Sequence, residues 1–231
     1  MMKRLAIIPA RGGSKRIPRK NVKDFLGKPI IAYSIEAALQ SGIFDVIMVS
    51  TDDEEIASVA RQYGAQVPFM RSEATSNDYA TTADVINEVL DRYRENGYVF
   101  DIVCCLYATA PFVTPERLRE ASGILDSGGF DSAFTCTAFS YPVLRGLVID
   151  GDGRIAMRWP EYRQSRSQDL PSFYHDAGQF YFATTQALRQ ANGFWTDNTA
   201  PIILSELEVQ DLDTPTDWAL AEMKFNLTQK K

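Results

Sequence analysis

Short apolar runs alternate with helix-period segments over the first 138 residues of this chain, and that alternation limits its fold more than any other feature. Leu5–Ile8 is an uninterrupted apolar run closed by Pro9 and Gly12, the pattern of a strand buried on both faces. Beyond a loop of glycines and bases, Ile30–Leu39 sets Ile31, Ile35, Ala38 and Leu39 on one helical face, with Gly42 as its stop. Val46–Ser50 reads as a second strand. Asp53-Glu54-Glu55 opens a helix with Ile56, Val59, Ala60 and Tyr63 sharing a face, and Gly64 ends it. Gln66–Met70 reads as a short strand. A helix starts at Thr82 or Asp84, with Val85, Val89, Leu90 and Tyr93 inward. Asp101–Tyr107 is then extended, Pro115–Leu125 helical and Ser132–Thr137 extended. Such a series predicts right-handed βαβ units, hence an α/β fold with a mainly parallel sheet and helices on both faces. In sheets of this kind ligands sit beyond the carboxyl ends of the strands.

From Phe139 the pattern changes. Val143–Ile149 and Ile155–Trp159 flank Gly151-Asp152-Gly153 and read as a hairpin. Arg163–Tyr174 is polar and irregular, Phe180–Ala183 is a strand, and Ile202–Leu204 and Glu208–Leu212 are short extended runs. Thr214-Pro215-Thr216-Asp217 starts a final helix with a capping pattern and proline at its first position. With no repeat and no Pro/Ser/Gly linker, the economical reading is one domain over 1–231 with an inserted hairpin at about 139–162.

Composition excludes several classes. Apolar residues make up 45% and charged residues 23%, ordinary for a globular protein. The apolar runs fall far short of the roughly 20 residues a membrane helix needs. The start, Met1-Met2-Lys3-Arg4, leads into a stretch too short for a signal-peptide core, so the expected location is cytoplasmic, with no membrane partner. Three cysteines without a CxxC and one histidine, His175, argue against a zinc site.

Charge is spread very unevenly. Residues 1–28 hold nine bases against one acid, whereas the whole chain carries −6. An acidic protein with one dense basic patch does not suit general nucleic-acid binding; it suits a pocket for a small polyanion. The patch is Pro9-Ala10-Arg11-Gly12-Gly13-Ser14-Lys15-Arg16-Ile17-Pro18-Arg19-Lys20-Asn21. Adjacent glycines let backbone N–H groups converge on an anion, and the bases add charge-assisted bonds to phosphate oxygens. GxxxxGK[ST] and GxGxxG are both absent, so neither a Walker A loop nor a dinucleotide fingerprint is present. From the residues alone the loop reads as a triphosphate or pyrophosphate cradle, the alternative being a solvated basic loop. Asp211-x-Asp213 reads either as a hard-oxygen pair for Mg²⁺ on one face of a strand end or as an acidic turn before the last helix. Asp52 and Asp53 face a nucleotide or cap the helix that follows, capping being favoured.

The basic segment resembles the signature of the CMP-sugar synthetases, cytidylyltransferases that activate nonulosonic acids such as sialic acid. The resemblance continues through Lys28-Pro29, Val49-Ser50-Thr51-Asp52, Phe69-Met70-Arg71, Asn77-Asp78-Tyr79-Ala80-Thr81-Thr82 and Asp211-Leu212-Asp213-Thr214-Pro215, in order along nearly the whole chain. Ala108-Thr109-Ala110-Pro111 departs from the Gln-Pro-Thr-Ser-Pro of sialic acid enzymes. Ser140-Tyr141-Pro142, Arg166–Leu170 and Tyr174–Tyr181 resemble the pseudaminic acid branch instead.

The resemblance implies a Rossmann-like nucleotidyltransferase sheet with an inserted β-hairpin dimerisation segment, and a homodimer in which that segment reaches the partner's active site. It implies that CTP and a nonulosonic acid, most closely pseudaminic acid, give the CMP-sugar and pyrophosphate with Mg²⁺ as cofactor. The nucleotide is expected on Ala10, Arg11, Gly12, Gly13, Ser14, Lys15, Arg16, Lys20, Asn21, Arg71, Asn77 and Thr82. The sugar is expected on Tyr107, Arg166, Gln168, His175 and Tyr181, and the metal on Asp211 and Asp213. Lys20, Arg11 and Asp211 are the expected catalytic residues. Sialic, legionaminic or KDO-type acceptors remain alternatives. So does a non-catalytic nucleotide-binding protein, which would bind without turnover and tolerate loss of the aspartate pair.

Overall fold

The computed structural model describes residues 2–14 and 16–228. In chain order its elements are β1 (Arg4–Pro9), β2 (Asp24–Phe25), β3 (Lys28–Pro29), α1 (Ile30–Ser41), β4 (Val46–Ser50), α2 (Glu54–Gln62), α3 (Glu73–Ser76), α4 (Thr82–Glu95) and β5 (Ile102–Leu106). There follow α5 (Pro115–Asp126), β6 (Ser132–Ala138), β7 (Leu147–Ile149), β8 (Ile155–Met157), β9 (Tyr174–Thr184), α6 (Thr185–Ala191), β10 (Thr199–Leu204) and α7 (Pro215–Thr228).

A six-stranded sheet has the order β10-β6-β9-β5-β1-β4. β1 pairs in parallel with β4 and β5, and β10 with β6, while β9 runs antiparallel between β5 and β6. Side chains alternate across a strand. Ala6 and Ile8 of β1 therefore join Val49, Cys104 and Phe182 on one face, and Leu5 and Ile7 join Met48, Val103 and Cys105 on the other. α1, α2 and α5 cover the first face through Ile31, Ile35, Ile56, Ala60, Leu118 and Leu125. α4 and α6 cover the second through Ile86, Val89, Leu90 and Leu188.

The expected punctuation is where the helices end. Gly42 closes α1 at φ 68°, a conformation that costs glycine least. Asp53 caps α2 by accepting the Ile56 N–H, and Thr81 and Asp84 form a reciprocal capping box on α4. Thr214 and Asp217 exchange bonds of the same kind before α7.

A third apolar cluster sets the site. Trp218 and Ala221 of α7 pack with Phe25, Ile30, Ile17, Phe112 and Leu212, and the Phe25 and Trp218 ring centroids lie 5.5 Å apart, edge to face. Each such buried side chain contributes about 1.5–3 kcal/mol. Together they fasten the carboxy-terminal helix to the loop that follows β1.

Several expectations are corrected. Gln66–Met70 is not a strand: Gln66 alone bridges Met48, because Pro68 has no N–H to extend the ladder. Glu208–Leu212 is not extended. Glu206–Glu208 is a 3-10 turn closed by Ser205 and Glu208, and 209–214 is irregular, so the aspartate pair does not sit on a strand end. The hairpin is shorter than expected, since Val143–Arg145 is a 3-10 turn after Pro142. α6 was not predicted; Thr184 ends β9 and caps the helix at once, with no turn residues between. Among the described residues no helix is long and apolar enough to cross a membrane.

Candidate active site

The basic loop leaves the carboxyl end of β1 between the ends of β4 and β5. The Ala10 N–H donates to the Ser50 carbonyl at 2.9 Å, and the Tyr107 carbonyl accepts from the Ser34 hydroxyl at 2.8 Å. Asn21, buried, donates to the Arg11 carbonyl at 2.9 Å and fixes the loop's two limbs. Lys20 Nζ donates to the Leu212 carbonyl at 2.8 Å and lies 3.9 Å from Asp213 Oδ1; Arg16 Nη1 is 2.8 Å from Asp213 Oδ2. The cationic loop and the acidic segment before α7 are thus one site, though 190 residues of sequence and more separate them.

Carboxylates from two further segments hold the same loop. Asp52 accepts the Gly12 N–H at 2.9 Å, and Arg11 donates to Asp78 at 2.8 Å and to the Asn77 carbonyl at 3.2 Å. Arg19, in the left-handed region at φ 53°, makes a two-pronged pair with Asp53 at 2.6 and 2.9 Å and also contacts Glu55. That pairing, reinforced by the Ile56 N–H against the cost of burial, lowers the Asp53 pKa to about 2. A Cβ on Gly12 would lie 2.7 Å from Asp53 Oδ2, so only glycine fits there without movement.

A cleft of about 520 Å³ opens beside the loop. Arg11, Ser14, Arg16, Lys20 and Asn21 of the loop line it together with Arg71, Asn77, Thr82 and Tyr107. Arg71 is largely buried, its guanidinium donating to Ser50 Oγ at 3.1 Å and to the Ser50 carbonyl at 2.6 Å. Burial lowers its pKa, opposed by Asp52 and Glu88. The Asn77 carboxamide is engaged in its own turn, accepting from Tyr79 N and Ala80 N and donating to the Ala74 carbonyl; it shapes the rim that Arg11 grips. Ala10, Gly12 and Gly13 lie in the loop behind the lining, and Lys15 falls outside the described residues.

A second cleft of about 260 Å³ shares Thr81, Thr82 and Tyr107 with the first, so the two adjoin. Tyr181, Asp176 and the turn Asn192–Trp195 complete it. The Tyr181 hydroxyl donates to Asp176 at 2.6 Å, and the Tyr107 hydroxyl links Tyr181 to Thr82. Burial pushes both phenols upward, so they remain protonated donors. Sequence reasoning missed Asp176, Phe194 and Trp195. The signal was the Asn192-Gly193 pair: Asn192 takes φ 51° at the end of α6 and turns the two aromatics back onto the sheet end. Arg166 pairs with Asp169 at 2.8 Å on an exposed turn, and Gln168 lies in that turn. His175 meets Phe139 edge-on with ring centroids 4.8 Å apart. None of these three lines either cleft of its own chain.

Among the described residues no three or more His, Cys, Asp or Glu groups converge. Asp211 and Asp213 nevertheless suit Mg²⁺ as a donor set. Both are hard oxygen ligands; Asp213 meets Arg16 and Lys20 of the loop, Asp211 bonds the Leu212 N–H, and neither lines the cleft. Mg²⁺ characteristically takes one or two carboxylates and completes its shell with phosphates and water.

A basic loop and a largely buried arginine line one cleft at the carboxyl ends of the strands, and comparison with known proteins makes this chain a nucleotidyltransferase. The family model described as cytidylyltransferase matches residues 5–139. The chain belongs to that family. It is 42% identical over 229 residues to a pseudaminic acid cytidylyltransferase of Campylobacter jejuni, covering 99% of each. It is 39% identical over 239 residues to a CMP-N,N'-diacetyllegionaminic acid synthase of Legionella pneumophila, again covering 99% of each. The solved structure of a CMP:2-keto-3-deoxy-manno-octonic acid synthetase complexed with CTP superposes with a TM-score of 0.67 at 22% identity, covering 99% of this chain and 100% of that one, which shows the fold.

Proposed function

We propose that the protein joins CTP to the anomeric hydroxyl of pseudaminic acid, giving the CMP-sugar and pyrophosphate. The observation that carries the acceptor is the full-length match to a pseudaminic acid enzyme, at higher identity than the match to the legionaminic acid one. In the proposed reaction the anomeric oxygen attacks the α-phosphorus in line, a P–O bond forms, and the bond to pyrophosphate breaks. Such transfers depend on positioning and charge neutralisation more than on covalent help.

Arg11, Arg16 and Lys20, with Lys15 from the sequence pattern, neutralise the triphosphate and the departing pyrophosphate. The N–H groups of Ala10, Gly12 and Ser14 are engaged within the protein, so the backbone contribution to anion binding comes from Arg11 and Gly13. Arg71, with Asn77 and Thr82 on the same wall, meets cytosine and ribose. Lys20 is the main stabiliser of charge on the leaving oxygens, with Arg11 beside it. Asp211, which pairs with no cation among the described residues, takes the proton of the attacking hydroxyl. Mg²⁺ held by Asp211 and Asp213 would supply charge neutralisation at phosphate oxygens. Tyr107 and Tyr181 contact the sugar.

The same reading includes a homodimer. Leu147, Ile149 and Ile155 on the hairpin are 60%, 72% and 65% exposed, an apolar surface that a second copy would cover. Arg166 and Gln168 then serve the partner's cleft, a guanidinium matching the acceptor's carboxylate.

The test is pyrophosphate release from CTP and Mg²⁺ with a panel of nonulosonic acids. Release with pseudaminic acid alone supports the acceptor; release with legionaminic or sialic acid instead reassigns it. No release with any acid overturns the reading.

A further inference from the structure

Arg71 belongs to no strand or helix, yet it must keep one direction if it is to meet a nucleotide base. Gln66 is the last residue before it to bridge the sheet, so no ladder holds 67–72. Met70 and Ser72, on either side of Arg71, are instead tied to α4. Resting on the role proposed for Arg71, we infer that Glu88 and Arg92 of α4 are positioning residues for CTP: they clasp the backbone flanking Arg71 and so aim its side chain at the base.

The geometry of the clasp carries this. Glu88 Oε1 accepts the Ser72 N–H at 3.0 Å, and Oε2 accepts the Ser72 hydroxyl at 3.0 Å and the Thr75 hydroxyl. Arg92 Nη1 donates to the Met70 carbonyl at 2.7 Å. The Arg71 N–H donates to the Thr51 carbonyl, just past β4, at 2.8 Å. The peptide group before Arg71 is therefore held at both its carbonyl and its N–H, and the one after it at its N–H. With planar peptides only φ and ψ of Arg71 are left to turn, and bonds on both flanking peptides fix them. The clasp residues are one helical turn apart, with Glu88 Oε1 3.9 Å from Arg92 Nη1, so they also steady each other. Arg92 lies over the Phe69 ring as well, 4.2 Å from its centroid.

Two further details tie the arrangement to the loop. Ser72 stands at the N-cap position of α3 but makes no capping bond with its side chain; its hydroxyl goes to Glu88. The Glu88 side chain is only 15% exposed. Burial opposes its charge, but the bonds from Thr75 and Ser72 and the charge of Arg92 hold its pKa below the ordinary carboxyl value. It is therefore an anion at neutral pH, with acceptor capacity for all three donors. Neither Glu88 nor Arg92 lines the larger cleft, whereas Arg71 and Thr75 do, so the clasp acts through those two.

The experiment measures the Kd for CTP by calorimetry, and kcat and KM by pyrophosphate release. Glu88→Ala should weaken CTP binding by about tenfold or more, the worth of one hydrogen bond to a charged group. Its kcat should stay within about twofold of wild type, because a base contact made equally in the ground and transition states moves KM alone. Glu88→Gln keeps an acceptor for the Ser72 N–H and a polar end for Thr75, and should restore CTP affinity to within about threefold of wild type. Arg92→Met removes the other half of the clasp and should likewise raise the Kd at constant kcat; it keeps the inference open to refutation should Glu88→Ala fold poorly. In an Arg71→Met background, adding Glu88→Ala should cost no more than about twofold, because the residue being aimed is gone. Unchanged CTP affinity in Glu88→Ala or Arg92→Met, a kcat that falls as far as the affinity, no recovery in Glu88→Gln, or additive losses with Arg71→Met overturns the inference and leaves the proposed function standing. A wild type that binds no CTP overturns both.

Discussion

Replacing Gly12 with alanine perturbs the loop at its tightest point. The new methyl would stand 2.7 Å from Asp53 Oδ2 and 3.1 Å from its Cβ, so the aspartate side chain must turn away. It cannot do so freely, because the same two oxygens hold Arg19 at 2.6 and 2.9 Å and cap α2 through the Ile56 N–H at 3.0 Å. Losing an N-cap costs about 1 kcal/mol, and the Arg19 pair, at 40% and 22% side-chain exposure, about 0.5–1 kcal/mol after solvent screening. The sum of about 1.5–2 kcal/mol lowers Tm by about 3–8 °C in a chain of this size. In a D53A background both interactions are already gone, so adding Gly12→Ala should cost no more than about 0.5 kcal/mol, a large coupling for one pair. Thermal unfolding of the four proteins at pH 7 measures it. Acid supplies a second reading. Asp53 has a folded pKa lowered to about 2, so its contribution is complete above the ordinary carboxylate pKa near 4 and disappears as pH falls toward 2. The wild type and the Gly12→Ala protein should therefore converge in Tm across that window. Additive losses at neutral pH, or a Tm gap that persists at pH 2, would refute the steric account of Gly12.

Three further outcomes are expected. Lys20→Met keeps the aliphatic stem but removes the ammonium that bonds the Leu212 carbonyl; kcat should fall by about 10²–10³, the usual cost of one missing oxyanion-type donor. Asp213→Asn removes a negative charge from Arg16 and Lys20 and from the proposed metal pair. The Mg²⁺ concentration for half-maximal pyrophosphate release should rise at least tenfold, which a titration with Mg²⁺ reads directly. Asp at both Ile149 and Ile155 puts charge on the exposed hairpin face. Sedimentation should shift from dimer to monomer while CTP affinity, measured by calorimetry, is retained.

The layers of the fold were legible because burial on both faces leaves uninterrupted apolar strands, and amphipathic helices carry their own period. The direction of β9 was not legible: Phe180–Ala183 is buried on both sides whichever way it runs, so the pattern has no sense along the chain. Caps were legible where side chain and backbone exchange bonds locally, as at Asp53, Thr81 and Thr214. The basic side of the larger cleft was legible from a dense run of unlike residues in sequence. The second cleft was not. Asp176, Phe194 and Trp195 come from a strand start and a helix stop, and only the sheet brings them together. Arg166, Gln168 and His175 do not line the cleft of their own chain, and within one chain their expected role has no geometry.

A loop with so many cations close together would repel itself if left alone, and the structure meets this with acids borrowed from three places. Asp78 lies on the rim before α4, Asp52, Asp53 and Glu55 at the start of α2, and Asp213 ahead of α7. Such partly exposed pairs are each worth only about 0–1 kcal/mol. That weakness is useful for binding. In the proposed reaction a triphosphate would bring several negative charges at once to Arg11, Arg16 and Lys20, and it would exchange with carboxylates that hold them so lightly. The neutral anchor differs: buried Asn21 on the Arg11 carbonyl can persist whether or not phosphate is bound, keeping the loop's path while its charges change partners. Arg19 stands apart from this exchange. Its two-pronged bond to Asp53 faces the start of α2, and it does not line the cleft, so it fixes the loop's turn and takes no part in the proposed neutralisation of phosphate.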